Sequence, residues 1–287
     1  MQQNSVRLIA GADLYLKGAI PSTLESSPNH RGFQDFVRRI AQADIRFVNL
    51  EMVLTTGGYS REKSAVLHGH PDLANHLNAL GLDIVTMANN HMMDRGMEGL
   101  FSTLDTMDAH GIERVGAGRN LAEAQMPRFI ERKGIRLGFL AFSATLPLGA
   151  AAAPERPGVN PLHVATRYVM TIPEAGTGNP PPALPMTLAQ EANVHDVDAL
   201  IQAVRAAKAD ADYLVVAPHW GVVGQDRVMP YQEEVAHALI DAGADAIVGH
   251  HPHRLHGVEV YKERPIFYSL GNFIFQLDLL QPVGQDL

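Results

Sequence analysis

The 287-residue sequence predicts an α/β fold, on the strength of two repeating patterns. Short apolar runs recur along the chain, and their length is typical of buried strands. Between several of these runs lie amphipathic segments, with apolar residues every three or four positions and a glycine at the end, as in helices with a left-handed cap. Strands that alternate with helices indicate a mainly layered α/β sheet.

The seven predicted strands cover residues 6–11, 45–50, 83–88, 135–142, 213–217, 244–248 and 265–270. The helical spacing is seen at Leu73, Leu77 and Leu80 before Gly81, at Leu100, Leu104 and Met107 before Gly111, and over residues 232–242 before Gly243. In the last of these, Val235, Leu239 and Ile240 are predicted to face the core.

Residues 145–190 break the alternation of strands and helices. This segment contains Gly149, the alanine run 150–153, Pro154, Pro157, Pro161, Gly176, Gly178 and the proline cluster 180–182. Such a composition predicts a loop or an insertion instead of core, within a single domain that spans residues 1–287. The sequence leaves open whether the segment is a lid over a site or a surface excursion.

Composition and charge exclude several classes of function. A net charge of −8 does not favour nucleic acid or an anionic membrane as a partner, whereas a small molecule or a second copy of the chain remains compatible. The absence of cysteine excludes disulfides and thiolate chemistry, so any metal must be held by nitrogen and oxygen. No apolar run is long enough to span a membrane, and the N-terminus lacks a basic leader region, so we predict a cytoplasmic location.

Polar side chains follow five of the predicted strands, where sites form in open α/β sheets. In chain order they are Asp13, Glu51, Asn89-Asn90-His91, His219, and His250, His251 and His253. Taken singly, most have a structural explanation. Asp13 is compatible with a helix cap, Asn89 and Asn90 with a turn, and His219 with a packed core histidine.

A metal centre explains all five strand ends together. A carboxylate at the end of an apolar strand, such as Glu51, needs a partner to offset its desolvation, and three histidines within four residues are typical of metal ligands. Imidazole, carboxylate and carboxamide groups suit Mn, Zn or Fe better than Ca. Six such groups exceed one tetrahedral site and predict two divalent ions about 3.5 to 4 Å apart, bridged by a carboxylate.

At these residues the sequence resembles the bacterial capsule-synthesis, CapA-like family of poly-γ-glutamate capsule proteins, a branch of the calcineurin-like metallophosphoesterase superfamily. The resemblance runs from about residue 8 to residue 275. The matching pieces are Gly11-Ala12-Asp13, Asn49-Leu50-Glu51, Ala88-Asn89-Asn90-His91, His219-Trp220-Gly221, Gly249-His250-His251-Pro252-His253 and Tyr268-Ser269-Leu270-Gly271-Asn272-Phe273.

The resemblance implies a four-layer α/β/β/α sandwich with two metals over the sheets. Asp13 and His253 would hold one ion, and Asn90, His219 and His251 the other, with Glu51 as the bridge. His91 falls at the position of the superfamily's catalytic histidine. Asn89 and His250 would support the ligands, while His70 and Arg95 are candidates for binding an anionic substrate or are solvated surface groups.

Three departures from the expected motifs concern the metal ligands, and the lost imidazole affects the first ion. The usual Asp-x-His of the first strand is Asp13-Leu14-Tyr15 here, which is one imidazole fewer, and the usual bridging Asp is Glu51. In addition, the usual Gly-Asp pair is Gly11-Ala12-Asp13, which is an apparent one-residue insertion.

The function predicted on this basis is that of a metal-dependent hydrolase. A metal-bridging hydroxide would cleave an amide (γ-glutamyl-like) or ester bond of a small acidic substrate. His91 would polarise the electrophile or donate a proton to the leaving group. The alternatives are a phosphoesterase of the calcineurin-like type and a non-catalytic metal-binding accessory protein of capsule biosynthesis. A purely structural metal site is a further reading, and it would be closed by protein ligands.

Overall fold

The computed structural model describes residues 5–18, 31–60, 62–63, 65–170 and 186–276. The strands are β1 (Leu8–Tyr15), β2 (Ile45–Leu50), β3 (Val53–Leu54), β4 (His68–Gly69), β5 (Ile84–Thr86), β6 (Glu113–Val115), β7 (Ala117–Gly118), β8 (Arg128–Arg132), β9 (Ile135–Ser143), β10 (Gly158–Val159), β11 (Val164–Met170), β12 (Met186–Ala192), β13 (Tyr213–His219), β14 (Ala246–Val248), β15 (Val258–Tyr261), β16 (Arg264–Phe267) and β17 (Asn272–Phe275). The helices are α1 (Arg31–Ile40), α2 (Ala74–Ala79), α3 (Gly96–Ala109), α4 (Leu121–Gln125), α5 (Val194–Ala209) and α6 (Pro230–Ala242).

Two large sheets form the centre of the molecule. The first has the order β17-β1-β2-β5-β6, and all of its pairs are parallel. The second has the order β15-β16-β14-β13-β9-β8, with four parallel strands flanked by an antiparallel strand at each edge. Because parallel strands end at the same edge of a sheet, the residues that follow them are brought close together.

Side-chain alternation along β9 shows how the second sheet is covered on both faces. Phe139 belongs to the apolar core shared with the first sheet, where its ring centroid lies 5.4 Å from that of Phe47. The next residue, Leu140, and then Phe142 belong to a separate core with α5 and α6. This period of two is what a strand covered on both faces requires.

The outer face of the first sheet is covered by the remaining long helices. Leu77 of α2 and Leu100 of α3 are buried against it, and Phe36 of α1 packs with its ring centroid 5.0 Å from that of Phe273 in β17. The layers are therefore helix, sheet, sheet, helix, which confirms the predicted α/β/β/α sandwich.

The apparent insertion at Gly11-Ala12-Asp13 is a β-bulge. Ala10 pairs with Phe47 and Asp13 pairs with Asn49, so β1 uses three steps where β2 uses two. A Cβ atom on Gly11 would lie 2.7 Å from the Phe273 ring, so only glycine fits there. Asp13 therefore lies within β1, whereas the sequence had predicted that the strand ends before it.

The segment 145–190 contains more regular structure than its composition predicts. Ala150, Val159 and Leu162 are buried core residues, so the prediction of a loop without core is wrong for them. β10 pairs with β7, and β11 forms an antiparallel hairpin with β12. The cluster of Gly176, Gly178 and prolines 180–182 lies outside the described residues. Among the helices that the structure describes, none has the length and apolar character needed to cross a membrane.

Candidate metal centre

The predicted ligands converge where the carboxyl edges of the two sheets meet. The first sheet contributes Asp13 from β1, Glu51 directly after β2, and Asn90 after β5. The second contributes His219 at the end of β13 and the histidines that follow β14. A backbone bridge between His219 and His250 extends the pairing of these two strands into the site.

Glu51 lies at the centre of the cluster and is fully buried. Its Oε1 atom lies 3.5 Å from His219 Nε2, 3.8 Å from His253 Nε2 and 3.9 Å from His91 Nε2. Among the residues described, neither carboxylate oxygen of Glu51 has a hydrogen-bond partner. Burial, reinforced by the nearby carboxylate of Asp13, raises the pKa of Glu51 well above its ordinary value. A buried carboxyl group of this kind stays ionised only beside a cation and otherwise binds a proton.

His219, His251 and Asn90 surround one side of Glu51. His219 Nε2 lies 2.9 Å from Asn90 Oδ1 and 3.0 Å from His251 Nδ1. Burial lowers the pKa of His219 well below its ordinary value and that of His251 to about 3, and the neighbouring histidines lower the pKa of His219 further. Both rings are therefore neutral near pH 7, which is the form that binds metals.

Asp13 and His253 lie on the other side of Glu51. Asp13 Oδ1 accepts a hydrogen bond from Asn49 Nδ2 at 2.8 Å, and Oδ2 accepts one from the His251 backbone N–H at 3.2 Å. Burial acts to raise the pKa of Asp13, but His250, His253 and the Asn49 amide together bring it below its ordinary value. His253 Nδ1 lies 3.4 Å from Asp13 Oδ2 and 2.8 Å from Asn272 Oδ1.

The histidine segment after β14 has an unusual backbone. His251 and His253 have φ angles of 100° and 56°, in the left-handed region that non-glycine residues seldom adopt. Gly249 precedes them, and a Cβ atom there would lie 2.2 Å from the Tyr268 carbonyl oxygen. That carbonyl accepts a hydrogen bond from Trp220 Nε1 at 2.9 Å. The packing of Trp220 therefore fixes the path of the segment that carries the histidines.

His91 lies beside Glu51 and is held by a buried ion pair. Asp94 Oδ2 lies 2.6 Å from His91 Nδ1, and Asp94 Oδ1 accepts a hydrogen bond from Lys63 Nζ at 2.8 Å. Lys63 also donates to the Asn90 carbonyl at 3.0 Å. Burial lowers the pKa of His91 against the opposing effect of Asp94. His91 therefore contacts the Asp94 carboxylate through Nδ1, and its Nε2 faces Glu51.

Asn89 and His250 lie directly behind the predicted ligands. Asn89 Nδ2 donates to Asn49 Oδ1 at 3.0 Å and to the Leu50 carbonyl at 2.8 Å, which ties the ends of β2 and β5 together. His250 is fully buried, and its Nδ1 lies 3.5 Å from Asp13 Oδ1.

The two predicted anion-binding candidates have contacts of other kinds. His70 Nδ1 accepts from the Asp72 backbone N–H at 3.2 Å and so caps a short 3₁₀ helix. Arg95 donates to the Gly57 carbonyl at 3.1 Å and to Ser60 Oγ at 2.6 Å. These contacts tie loops together, and within the described residues the hydrogen bonds of the two side chains are made to groups other than the predicted ligands.

Sequence reasoning did not select four residues that the fold places in the site, namely Asn49, Lys63, Asp94 and Asn272. Asp94 lies three residues after His91, and Asn272 belongs to the Gly-Asn-Phe run, so both carried a local signal. Lys63 lies in the connection between β3 and β4, and nothing in its neighbourhood distinguished it from a solvated lysine.

The donor set fits divalent metal ions. Two groups of ligand atoms each lie within 4.8 Å of one another, one from Glu51, His219 and His251, and the other from Asp13, Glu51 and His253. Glu51 belongs to both groups, and its unpartnered oxygens are the specific observation that a cation would satisfy.

We expect the buried histidines to make the metal-free protein sensitive to acid. The native state keeps His251 neutral to about pH 3, whereas the unfolded chain binds a proton near pH 6.5. The free energy of unfolding should therefore fall as pH drops from about 6.5 towards 3, by up to about 1.4 kcal/mol per pH unit for this residue. Urea denaturation of the wild type and of His251→Asn in EDTA at several pH values isolates the effect. Parallel pH profiles of the free energy of unfolding in the two proteins would contradict it.

Comparison with known proteins identifies the family. The profile of the family described as "Bacterial capsule synthesis protein PGA_cap" matches residues 7–277. The uncharacterized protein y4sH of Sinorhizobium fredii is 33% identical over 93% of this chain and 66% of its own length. The capsule biosynthesis protein CapA of Bacillus anthracis is 32% identical over 75% of this chain and 45% of its own.

A relative from Mycobacterium tuberculosis carries a different description. Named a probable polyglutamine synthesis accessory protein, it is 31% identical over 80% of this chain and 55% of its own length. The chain thus spans between about half and two thirds of the length of these curated relatives.

The solved structures add evidence on the fold alone. A hypothetical protein from Thermus thermophilus superimposes with a TM-score of 0.50 at 15% identity, over 93% of this chain and 76% of that one. The α/β/β/α layers are those of the metallophosphoesterase-like fold. With a family profile that matches almost the whole described chain, the protein belongs to the bacterial capsule-synthesis, CapA-like family.

Proposed function

We propose that this protein is a metal-dependent hydrolase that cleaves an amide (γ-glutamyl-like) or ester bond of a small acidic substrate. The observation that carries the proposal is the carboxylate of Glu51, which is fully buried and has histidine nitrogens within 3.5 to 3.9 Å of one oxygen. Within the described residues its oxygens have no hydrogen-bond partner, so a bound cation accounts for its position.

The positions of the residues indicate their roles. Glu51, His219, His251 and Asn90 would hold one divalent ion, and Asp13, Glu51 and His253 a second. When bound, such ions supply a Lewis acid and lower the pKa of a coordinated water towards about 7. Asn49, Asn89 and Asn272 orient the ligands through hydrogen bonds to Asp13, β2 and His253.

His91 is the candidate for proton transfer. Because Asp94 lies 2.6 Å from Nδ1, the ring donates its Nδ1–H to that carboxylate and directs Nε2 towards Glu51 and the ligands. The ring is nearly enclosed, so a proton at Nε2 exchanges with the reacting group more readily than with bulk water. Nε2 of the neutral ring therefore carries a lone pair, which would take up a proton released in the reaction and pass it to a leaving nitrogen or oxygen.

The names of the relatives support the choice of bond. Several are named for the biosynthesis of capsule or PGA, or for polyglutamine synthesis; the PGA name favours an acidic substrate with amide bonds, and the polyglutamine name favours amide bonds alone. The ammonium group of Lys63 lies beside His91 and adds positive charge to this side of the site. The net charge of −8 favours a small ligand over nucleic acid. The metallophosphoesterase-like fold supports phosphoester cleavage as the alternative reaction at the same centre.

A non-catalytic accessory role is the second candidate. The word "accessory" in the names of the mycobacterial relatives supports it. Such a protein would keep the metal ligands and bind an acidic partner without turnover.

Turnover assays on metal-loaded protein test these candidates. Purified protein supplied with Mn, Zn or Fe should hydrolyse a γ-glutamyl anilide or γ-glutamyl oligomers faster than p-nitrophenyl phosphate. His91→Asn should lower kcat about 10²- to 10⁴-fold while leaving the metal content unchanged. Asp94→Asn should give a smaller loss in kcat, because it removes only the acceptor that orients His91.

The matched control is His195→Asn, which changes an exposed histidine on α5 and should leave kcat unchanged. Preferred cleavage of phosphoesters would replace the amide hydrolase by a phosphoesterase. Full metal loading without turnover of any class, and equal behaviour of wild type and His91→Asn, would favour the accessory role instead.

A further inference from the structure

The two groups of metal ligands differ in the burial of their histidines. His219 and His251, which face Glu51 on one side, have exposed fractions of 1% and 6%. His253, on the other side, has 24% of its side chain exposed. We call the first group, Glu51, His219, His251 and Asn90, the inner position. The second group, Asp13, Glu51 and His253, is the outer position.

The number of donors also differs between the two positions. At the inner position four side chains converge, since His219 Nε2 lies 2.9 Å from Asn90 Oδ1, 3.0 Å from His251 Nδ1 and 3.5 Å from Glu51 Oε1. Histidine and carboxylate donors number three at each position among the described residues, so the inner position differs by the amide oxygen of Asn90, whereas Asn272 Oδ1 lies 2.8 Å from His253 Nδ1 and orients that ring. Tyr15, two residues after Asp13, is buried and packs against Phe275, and its phenol ring has no imidazole nitrogen to offer an ion.

The hydrogen bonds of the carboxylates are a third difference between the two positions. Asp13 already accepts bonds from the Asn49 amide at 2.8 Å and from the His251 backbone at 3.2 Å. These donors offset part of the desolvation of Asp13 without any ion. A bound ion would therefore stabilise Asp13 by less than it would stabilise a carboxylate without hydrogen-bond partners. Glu51, whose oxygens lack hydrogen-bond partners among the described residues, is shared by the two positions, so the difference between them lies in the bonds that Asp13 already has.

From these three differences we infer that the centre has two unequal metal positions, and that the inner one fills first and more tightly. The outer position exchanges its ion with solvent and leaves coordination sites open for substrate, as three-ligand catalytic sites do. This inference rests on the proposed function for its metal centre and adds an order of loading and an assignment of the exchangeable ion.

Titration of EDTA-stripped full-length protein with Mn²⁺ tests the inference. Calorimetry should show two steps whose dissociation constants differ by about 10- to 100-fold, the range seen when support around a metal site changes. At one equivalent, electron paramagnetic resonance should show isolated Mn²⁺, and coupling between neighbouring ions should appear only as the second equivalent is added. This wild-type measurement needs no variant to fold.

A pair of variants two residues apart assigns the steps. His253→Ala should remove the weak step and keep the tight one, whereas His251→Ala should remove the tight step. Both positions have positive φ, so the two substitutions change the backbone in a similar way. Thermal melting in EDTA checks that each variant folds, and His219→Ala replaces His251→Ala if that variant does not.

Several outcomes overturn the inference. Two steps of equal affinity, coupling already present at one equivalent, or loss of the tight step in His253→Ala would each do so while leaving a metal-dependent hydrolase intact. Two unequal steps without any turnover would instead refute the proposed function and leave the loading order in place. Failure to bind Mn²⁺ at all would refute the metal centre and both proposals with it.

Discussion

Glu51→Gln should stabilise the metal-free protein and at the same time abolish its stabilisation by divalent ions. In the metal-free state the substitution replaces a buried carboxylate, which lacks hydrogen-bond partners among the described residues, by a neutral isostere. The gain in the free energy of unfolding at pH 8 should be about 1 to 3 kcal/mol, because the amide still lacks partners but the extra cost of a buried charge is removed.

The sign with respect to pH follows from the raised pKa of Glu51. A carboxylate whose pKa is higher in the folded than in the unfolded state binds more protons when folded, so its contribution to stability falls as pH rises through the folded pKa. The wild type should therefore lose its disadvantage relative to Glu51→Gln as the pH is lowered. Urea denaturation in EDTA between pH 5 and pH 8 measures this difference.

With Mn²⁺ at 100 to 1,000 times its dissociation constant, the wild type should gain about 3 to 4 kcal/mol. Glu51→Gln should gain little, because both metal positions share Glu51. Glu234→Gln, at an exposed position on α6, is the matched control and should behave as wild type in both conditions. A metal-induced shift in Tm that survives in Glu51→Gln would show that Glu51 does not hold the ions.

Trp220→Ala should be the most destabilising single substitution near the site. Trp220 is fully buried, and its ring packs against Phe142 and Tyr268 at centroid distances of 6.3 and 6.1 Å. Removing a buried Trp leaves a large cavity and costs about 3 to 5 kcal/mol. The indole also donates to the Tyr268 carbonyl across Gly249, so the segment with His251 and His253 loses its support.

Metal affinity distinguishes this effect from simple loss of core packing. In Trp220→Ala the apparent affinity for Mn²⁺, measured at a temperature where the variant is folded, should fall about 10- to 100-fold. Leu239→Ala, a fully buried position on α6 in the same apolar core, should lower stability by about 2 to 5 kcal/mol without changing metal affinity. Equal affinities in the two variants would contradict a role for Trp220 in positioning the histidines.

Much of the architecture could be predicted because apolar periodicity is a local property of the chain. The runs at residues 45–50 and 135–142 match β2 (Ile45–Leu50) and β9 (Ile135–Ser143) closely. The helix predicted before Gly243 matches α6, and Gly243 ends it with a φ of 120°, a positive angle that favours glycine. Composition was a poorer guide within residues 145–190, where small and proline-flanked residues such as Ala150 and Val159 are buried by neighbours distant in sequence.

The bulge in β1 illustrates a different limit. The extra residue in Gly11-Ala12-Asp13 was visible in the sequence, but its meaning depends on the pairing of Asp13 with Asn49 in the next strand. Lys63 and Asp94 are similar cases. Each is an ordinary charged residue until the fold brings the two within 2.8 Å beside His91.

The sequence by itself determined which strands end in candidate metal ligands, because hydrophobic patterning places those ends at one edge and the residue types offer nitrogen and oxygen donors. Only the tertiary structure decided how these donors divide around Glu51, which of them are enclosed, and which already have protein partners. Burial and hydrogen bonding depend on contacts between segments far apart in the chain, such as Asp13 with the backbone of His251. Local patterns carry no information on such contacts.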